Sequence, residues 1–436
     1  MPRYEKGRGA RRAIWEIVVD GSTWKITYGR ANEPLSTYTR DYHHPSDAES
    51  NAETLVAQRI ADGYRLVNDE PLPSPPAPRS ELEQQLRANP DDEALYLVFA
   101  DWLQAQGDPR GRLIVVQHQL AIAPTPELAV EERAILATHE SALFGPLARF
   151  DRELLACKWK LGFLNAVRFA FDDGVPEATA ADMVAALCTM TDAAFVEAIA
   201  LGIPDHDADN LFDYAIEVVV GNAGRLPRIK RLFLGDFQIG DEAEMSWTEL
   251  GPIGPVFAAY PRLEQLIVQG GSFTLGTIDA PALRDFEVRT GGLGGDCLQS
   301  IREARWPALE RLVVWFGSSQ FGASGTADDV APIIATAPRL RELGICNAEF
   351  TDRACELLVA APIAAQLEVL DLSRGTLTDA GAAVLARGHF PKLRRLDVSQ
   401  NLLTAAGIAS LHALRVDLAT DHQRDPEDER YPAVGE

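Results

Sequence analysis

Two stretches late in the chain share one arrangement of apolar residues. Leu367, Leu370 and Leu372 stand in the spacing L-x-x-L-x-L, and Leu393, Leu396 and Val398 repeat it 26 residues later. That spacing aims the apolar positions of a short strand at an interior. A unit of this length cannot bury its apolar side alone, and only stacking against neighbours does so. The chain is therefore constrained to build much of its core from copies of one unit.

Weaker copies begin after a proline, at Ile229, Leu263, Leu283, Leu309 and Leu340, so the spacings of the first apolar residue run 34, 20, 26, 31, 27 and 26. Leu164–Phe169 and Phe195–Ala200 are expected to add two degraded copies, and Asp241 to Phe257 an insertion. The internal spacing and the period in the twenties resemble leucine-rich repeats. Thr378-Asp379-Ala380-Gly381 and Thr404-Ala405-Ala406-Gly407 are similar to the segments that lead into the convex helix of ribonuclease-inhibitor-type repeats. The resemblance implies a solenoid over residues 161–416, with a parallel sheet on its concave face and helices on its convex face. It implies a binding surface with no chemistry of its own. Residues 417–436 are expected to form an acidic, flexible tail.

On such strands the third, fifth and seventh positions line the concave face. They are Arg231, Phe233 and Gly235; Gln265, Ile267 and Gln269; Asp285, Glu287 and Arg289; and Arg311, Val313 and Trp315. The later strands add Glu342, Gly344 and Cys346; Val369, Asp371 and Ser373; and Arg395, Asp397 and Ser399. Phe233, Ile267, Val313 and Trp315 are apolar at positions predicted to meet water, and with the arginines they form a candidate protein-binding patch. A one-residue slip of register would return them to the core.

Residues 1–68 show alternation through Trp15, Ile17 and Val19, a turn at Asp20-Gly21, then Trp24, Ile26 and Tyr28. A capping box at Ser46 and Glu49 is expected to open a helix that buries Ala52, Leu55, Val56 and Ile60. The order Trp15-Glu16-Ile17, Tyr28-Gly29-Arg30 and a helix ending at Gly63-Tyr64 resembles a WGR domain, with tyrosine in place of the signature tryptophan. The resemblance makes Tyr28 and Arg30 candidates for contact with a nucleic acid or a docking partner. The basic lead Arg3, Lys6, Arg8, Arg11 and Arg12 is expected to be a solvated terminus that can add phosphate contacts. With ten Lys/Arg against nine Asp/Glu, residues 1–68 give little electrostatic support for binding nucleic acid.

Residues 69–79 are a Pro-rich linker, with five prolines between Pro71 and Pro78 favouring an extended spacer. A helical module follows over residues 80–160. Ser80 and Glu83 form a capping box, and Leu95, Val98, Phe99, Trp102 and Leu103 make one helical stripe. The run Asn89-Pro90-Asp91-Asp92, then Asp101-Trp102-Leu103, then Gly107-Asp108-Pro109-Arg110-Gly111 resembles the short repeat-companion domain found ahead of repeats in large bacterial genomes. The module is expected to cap the N-terminal edge of the solenoid, with Asp101, Asp108 and Arg110 serving as caps and ion pairs. The predicted fold is multidomain α/β throughout.

A formal charge of −23 argues against the whole chain being a nucleic-acid binder. Five widely spaced cysteines form no C-x-x-C pair, and buried free thiols in a reducing, cytoplasmic setting are expected; Cys297 in a loop is the candidate reactive one. No apolar run suits a membrane span, and no arrangement of His, Cys or carboxylates suits a metal; His43-His44 is predicted to be loop. The expectation is a protein without cofactor, metal or small-molecule substrate, not an enzyme, that binds a protein partner as an adaptor or sensor. The alternative is a DNA-associated adaptor acting through Tyr28 and Arg30.

Overall fold

A computed structural model describes residues 3–6, 12–30, 34–61, 64–67, 73–75, 77–171, 179–204, 211–425 and 431–435. They fall into two units, Met1–Ser74 and Pro75–Glu436. Arg8 and Arg11 of the basic lead, Pro71, Leu72 and Pro76 of the linker, and Gly63 lie outside the described residues.

In the first unit, β1 (Arg3–Lys6), β2 (Ala13–Asp20), β3 (Thr23–Arg30), β4 (Ser36–Asp41) and β5 (Arg65–Val67) form an antiparallel sheet in the order β4-β3-β2-β1-β5. Helix α1 (Pro45–Ala61) packs on one face, where Trp15, Ile17, Trp24, Ile26, Ala48 and Ala52 are buried. The indole of Trp24 finds the partner a buried N–H needs, donating to Tyr42 Oη at 2.8 Å. Two expectations are corrected here. The basic lead supplies strand β1, in which Arg3 pairs with Glu5 at 2.6 Å. Helix α1 starts at Pro45, a residue suited to the first helical position, so Ser46 lies inside the helix and is not its cap.

The second unit opens with α2 (Glu81–Ala88), α3 (Glu93–Ala105), α4 (Pro109–Ile122), α5 (Pro126–Thr138) and α6 (Glu140–Phe144). Ser80 Oγ accepts the Glu83 N–H at 3.2 Å, but the Glu83 carboxylate turns to Arg79 and Arg87 instead of closing the box. In α3 the buried stripe is Tyr96, Phe99, Ala100 and Leu103, and Val98 is exposed. These helices share a core with Leu161, Phe163 and Phe195, so residues 80–160 are not a module apart.

The strands are β6 (Leu155–Lys160), β7 (Phe163–Phe169), β8 (Ala198–Leu201), β9 (Arg231–Leu234), β10 (Glu249–Pro252), β11 (Gln265–Gln269), β12 (Ser272–Thr274), β13 (Asp285–Arg289), β14 (Arg311–Gly317), β15 (Glu342–Ala348), β16 (Val369–Asp371), β17 (Arg395–Asp397) and β18 (Asp417–Ala419). β10 and β12 pair in a separate parallel ribbon. The other eleven make one sheet in chain order, parallel except at the β6–β7 hairpin. Helices α7 (Ala180–Cys188), α8 (Asp213–Gly221), α9 (Gly254–Ala259), α10 (Gly295–Arg302), α11 (Val330–Ala335), α12 (Thr351–Ala360), α13 (Asp379–Leu385) and α14 (Ala405–Leu411) connect them. The uneven spacing now has a cause. The 34-residue step from Ile229 to Leu263 holds β10 and α9, and the 20-residue step to Leu283 holds β12 and no helix.

One rung shows what the leucine spacing builds. Ile199, Leu232, Leu266, Phe286, Leu312, Leu343, Leu370 and Leu396 pair in register across eight strands, all at 2% exposure or less. Each such side chain contributes about 1.5–3 kcal/mol relative to exposure.

The T-D-A-G motif also resolves into parts. Thr378 and Thr404 cap α13 and α14, accepting the N–H groups of Ala380 and Ala406. The Asp352 carboxylate accepts from Thr378 N and Oγ1 at 2.8 and 2.7 Å, and Asp379 does the same for Thr404 at 3.0 and 2.6 Å. A Cβ on Gly381 or Gly407 would land on the preceding unit's carboxylate. Threonine caps, aspartate grips the next threonine, and glycine leaves it room. Ala405 stands where the next aspartate would, and no helix follows β18 among the described residues.

The expected tail from residue 417 is corrected. Residues 417–419 are strand β18, in which the half-buried Leu418 pairs with Leu396 at the end of the rung. The segment 431–435 is also held: Asn347 donates to the Val434 carbonyl at 2.6 Å and accepts its N–H at 2.9 Å, and Ala433 N donates to the Arg374 carbonyl at 2.8 Å. Among the described residues no helix is long and apolar enough to cross a membrane.

Candidate interaction face

Residues between those of the buried rungs project from the other face of the large sheet. Arg231 and Arg395 are exposed; Phe233, Gln265, Ile267, Asp285, Arg289, Arg311 and Asp397 are half-buried. The register pairs them strand by strand, so the predicted positions do share one face. Arg395 lies 3.8 Å from both Asp397 and Asp417 at the far end.

Val313 and Trp315 are corrections. They lie on the predicted face but are buried, at 4% and 6% exposure. Val313 fills the space above Gly344, which has no side chain, and the guanidinium of Arg374 lies 4.9 Å from the centre of the Trp315 ring. Neither is an open hot spot. Gln269 and Glu287 are likewise buried, at 2% and 5%.

The middle of the face is a fixed ionic lattice. Arg311 donates to Asp285 at 2.7 Å and Glu287 at 2.6 Å; Arg289 donates to Glu287 at 2.6 Å and Gln269 at 3.1 Å. Gln265 donates to Asp285 at 2.6 Å, and Gln269 to the Phe237 carbonyl at 2.7 Å. Burial pushes the Glu287 carboxyl up, but the guanidiniums of Arg289 and Arg311 outweigh it and hold it below the ordinary range. Burial alone lowers Arg311, and its two carboxylate partners raise it further than burial lowers it.

A recess lies on each side of Arg289. One, of about 400 Å³, is lined by Phe237, Ile239, Glu287, Trp315, Asp371 and Arg374. Phe237 and Ile239 reach it because the chain turns sharply at Gly235, where φ is +88° and a Cβ would land on the Gln269 carbonyl. The other, of about 450 Å³, is apolar, with Ala166, Ala198 and Ala200 in its floor and Phe233 and Ile267 in its wall. Arg289 stacks on Phe233 at 5.4 Å and so separates the two. Sequence reasoning missed the alanine side because β6 to β8 lack L-x-x-L-x-L. The signal available was the alternation Ala198-Ile199-Ala200-Leu201.

In the first unit, Tyr28 and Arg30 end β3 with exposed side chains. Tyr28 pairs with Trp15 and Ser36, and Tyr38 and Arg40 on β4 are exposed as well. Elsewhere, Asp108 caps α4 by accepting the Arg110 N–H at 2.9 Å. Arg110 is buried and bidentate to Asp192 at 3.0 and 3.1 Å. Cys297, expected in a loop, sits in α10 at 4% exposure, and burial pushes its thiol up. The described cysteines are all free; burial pushes Cys157 and Cys188 up to about 12. Among the described residues no cluster of His, Cys and carboxylates suits a metal.

No protein-family model matches the chain, and no curated protein matches it. A crystal structure of a protein from Bacteroides fragilis is similar to it, with 19% identity, a TM-score of 0.57, and coverage of 100% of this chain and 99% of that one. At that identity the likeness concerns fold.

Proposed function

We propose that the chain is a non-enzymatic adaptor or sensor of the leucine-rich-repeat kind, which binds a protein partner on the face of its large sheet opposite the buried rungs. The observation that carries this reading is the pair of recesses flanking a fixed ionic lattice. Phe233 and Ile267 are half-exposed apolar side chains beside charges already held in place by hydrogen bonds. Preordered charges cost little further entropy when a partner docks, and an apolar centre with a polar surround is how protein interfaces concentrate affinity. The five free cysteines suit a reducing compartment such as the cytoplasm.

Phe233→Ala with Ile267→Ala is the informative pair, because neither side chain belongs to the buried rungs. Capture from host lysate followed by titration of the purified partner should show binding weakened by tenfold or more, with the variant's thermal transition unchanged. A partner bound equally well by the double variant would remove the reading.

A second reading rests on the first unit, which resembles a WGR domain. Tyr28, Arg30, Tyr38 and Arg40 are exposed on two adjacent strands, offering stacking surfaces beside guanidiniums. In that case Tyr28→Ala/Arg30→Ala should abolish salt-dependent binding of DNA ends by the full chain. DNA binding that is absent, or indifferent to both substitutions, would end this reading.

A further inference from the structure

Resting on the protein-binding reading, we infer that the alanine-floored recess takes an acidic amphipathic segment of a partner protein: apolar side chains in the trough, carboxylates on both flanks. The register carries the inference. Lys158, Ala166, Ala198 and Arg231 occupy one rung across β6, β7, β8 and β9. Two cations therefore bracket two alanines, with their backbones three strand spacings, about 14 Å, apart. The next rung runs Ala156, Arg168, Ala200, Phe233 and Ile267, so Ala200 continues the floor between Arg168 on one side and an apolar wall on the other.

The charges around this trough differ from those of the lattice beside it. Arg168 is already engaged, donating to the Asp236 carboxylate at 2.8 Å and the Asp236 carbonyl at 2.7 Å. Glu287, which pairs with Ile267 of the wall, is held by Arg289 and Arg311, and its neighbour Asp285 by Gln265 and Arg311. Lys158 and Arg231 are exposed and have no carboxylate partner among the described residues. In a chain with 64 Asp+Glu against 41 Lys+Arg, cations left unpaired on both sides of an apolar trough are complementary to carboxylates from outside. A polyanion such as nucleic acid fits less well. The net charge of −23 repels it, and the alanine floor offers no ring for bases to stack on.

The test is to select random phage-displayed peptides on the full chain and titrate the winners against variants. Enriched peptides should combine bulky apolar residues with Asp or Glu. Their binding should weaken about tenfold with Lys158→Glu/Arg231→Glu, fall as salt rises, and be lost with Ala200→Phe, which fills the floor. Peptides lacking carboxylates, no enrichment, or displacement by an oligonucleotide at the same residues would overturn the inference. Winners sensitive to Asp371→Lys but not to Arg231→Glu or Ala200→Phe would move the site to the neighbouring recess, leaving the protein-binding reading intact. Winners indifferent to every one of these variants would sink both.

Discussion

The two ends of the large sheet are held together by different means. From β15 to β17 the units repeat nearly to the residue, and each is tied to the next by the same aspartate-to-threonine grip. From β6 to β8 no such grip recurs among the described residues. That end relies on contacts that occur once: the buried Arg110–Asp192 pair, Asp192 accepting from Leu164 N at 3.0 Å, Gln117 accepting from Gly162 N at 2.7 Å, and the stacked rings of Phe163 and Phe195. A repeated contact shares the load among copies, whereas a unique one has no substitute. The irregular end also carries the apolar trough.

Breaking the unique contact should have the largest effect. Asp192→Ala leaves a buried guanidinium without its carboxylate and should cost about 3–5 kcal/mol in denaturant unfolding. At the regular end, Gly407→Ala drives a methyl into Asp379 and should cost about 1–3 kcal/mol. Asp379→Ala removes the grip itself, at about 1–2 kcal/mol, and a cycle with Thr404→Ala should show most of that as coupling. Ala405→Asp, which restores the motif where no next threonine waits, should stay within about 0.5 kcal/mol.

A pH titration sharpens the comparison further. Glu287, Glu83 and Glu197 are all held below the ordinary carboxylate range; in each, burial raises the carboxyl and basic partners more than offset it. A carboxylate depressed in the folded state stabilises the fold above its unfolded pKa of about 4.3 and loses that contribution as pH falls through the folded value. Acid unfolding should therefore begin below about pH 4.5, and Glu287→Gln should flatten that part of the profile. At Phe233, Ala should alter stability by less than about 0.5 kcal/mol while weakening partner binding.

What was legible in the sequence follows from which interactions have a period. The leucines of the buried rung recur, so the strands from Arg231 to Asp397 and their shared face could be placed from spacing alone. The turn between β2 and β3 was legible at Asp20-Gly21, but the register that pairs Trp15 with Tyr28 was set by the loop Gly21-Ser22. Contacts without a period left no trace. Val313 and Trp315 occupy the predicted face yet are buried, because Val313 settles into the space left by Gly344 one unit later and Arg374, two units later, closes over Trp315. Strand β18 and the docked segment 431–435 escaped notice because their partners, Leu396 and Asn347, are 22 and 87 residues away and share no motif with them.

The sequence by itself determined the repeating unit: where a strand falls, which of its side chains are buried, and which positions share the other face. Alternation and spacing are local properties of the chain. Only the tertiary structure decided which of those outward side chains are open. It left Phe233 half-exposed and Arg231 without a carboxylate among the described residues, and it covered Trp315. Exposure depends on which neighbours lean across, and those neighbours belong to other units whose spacing no local pattern specifies.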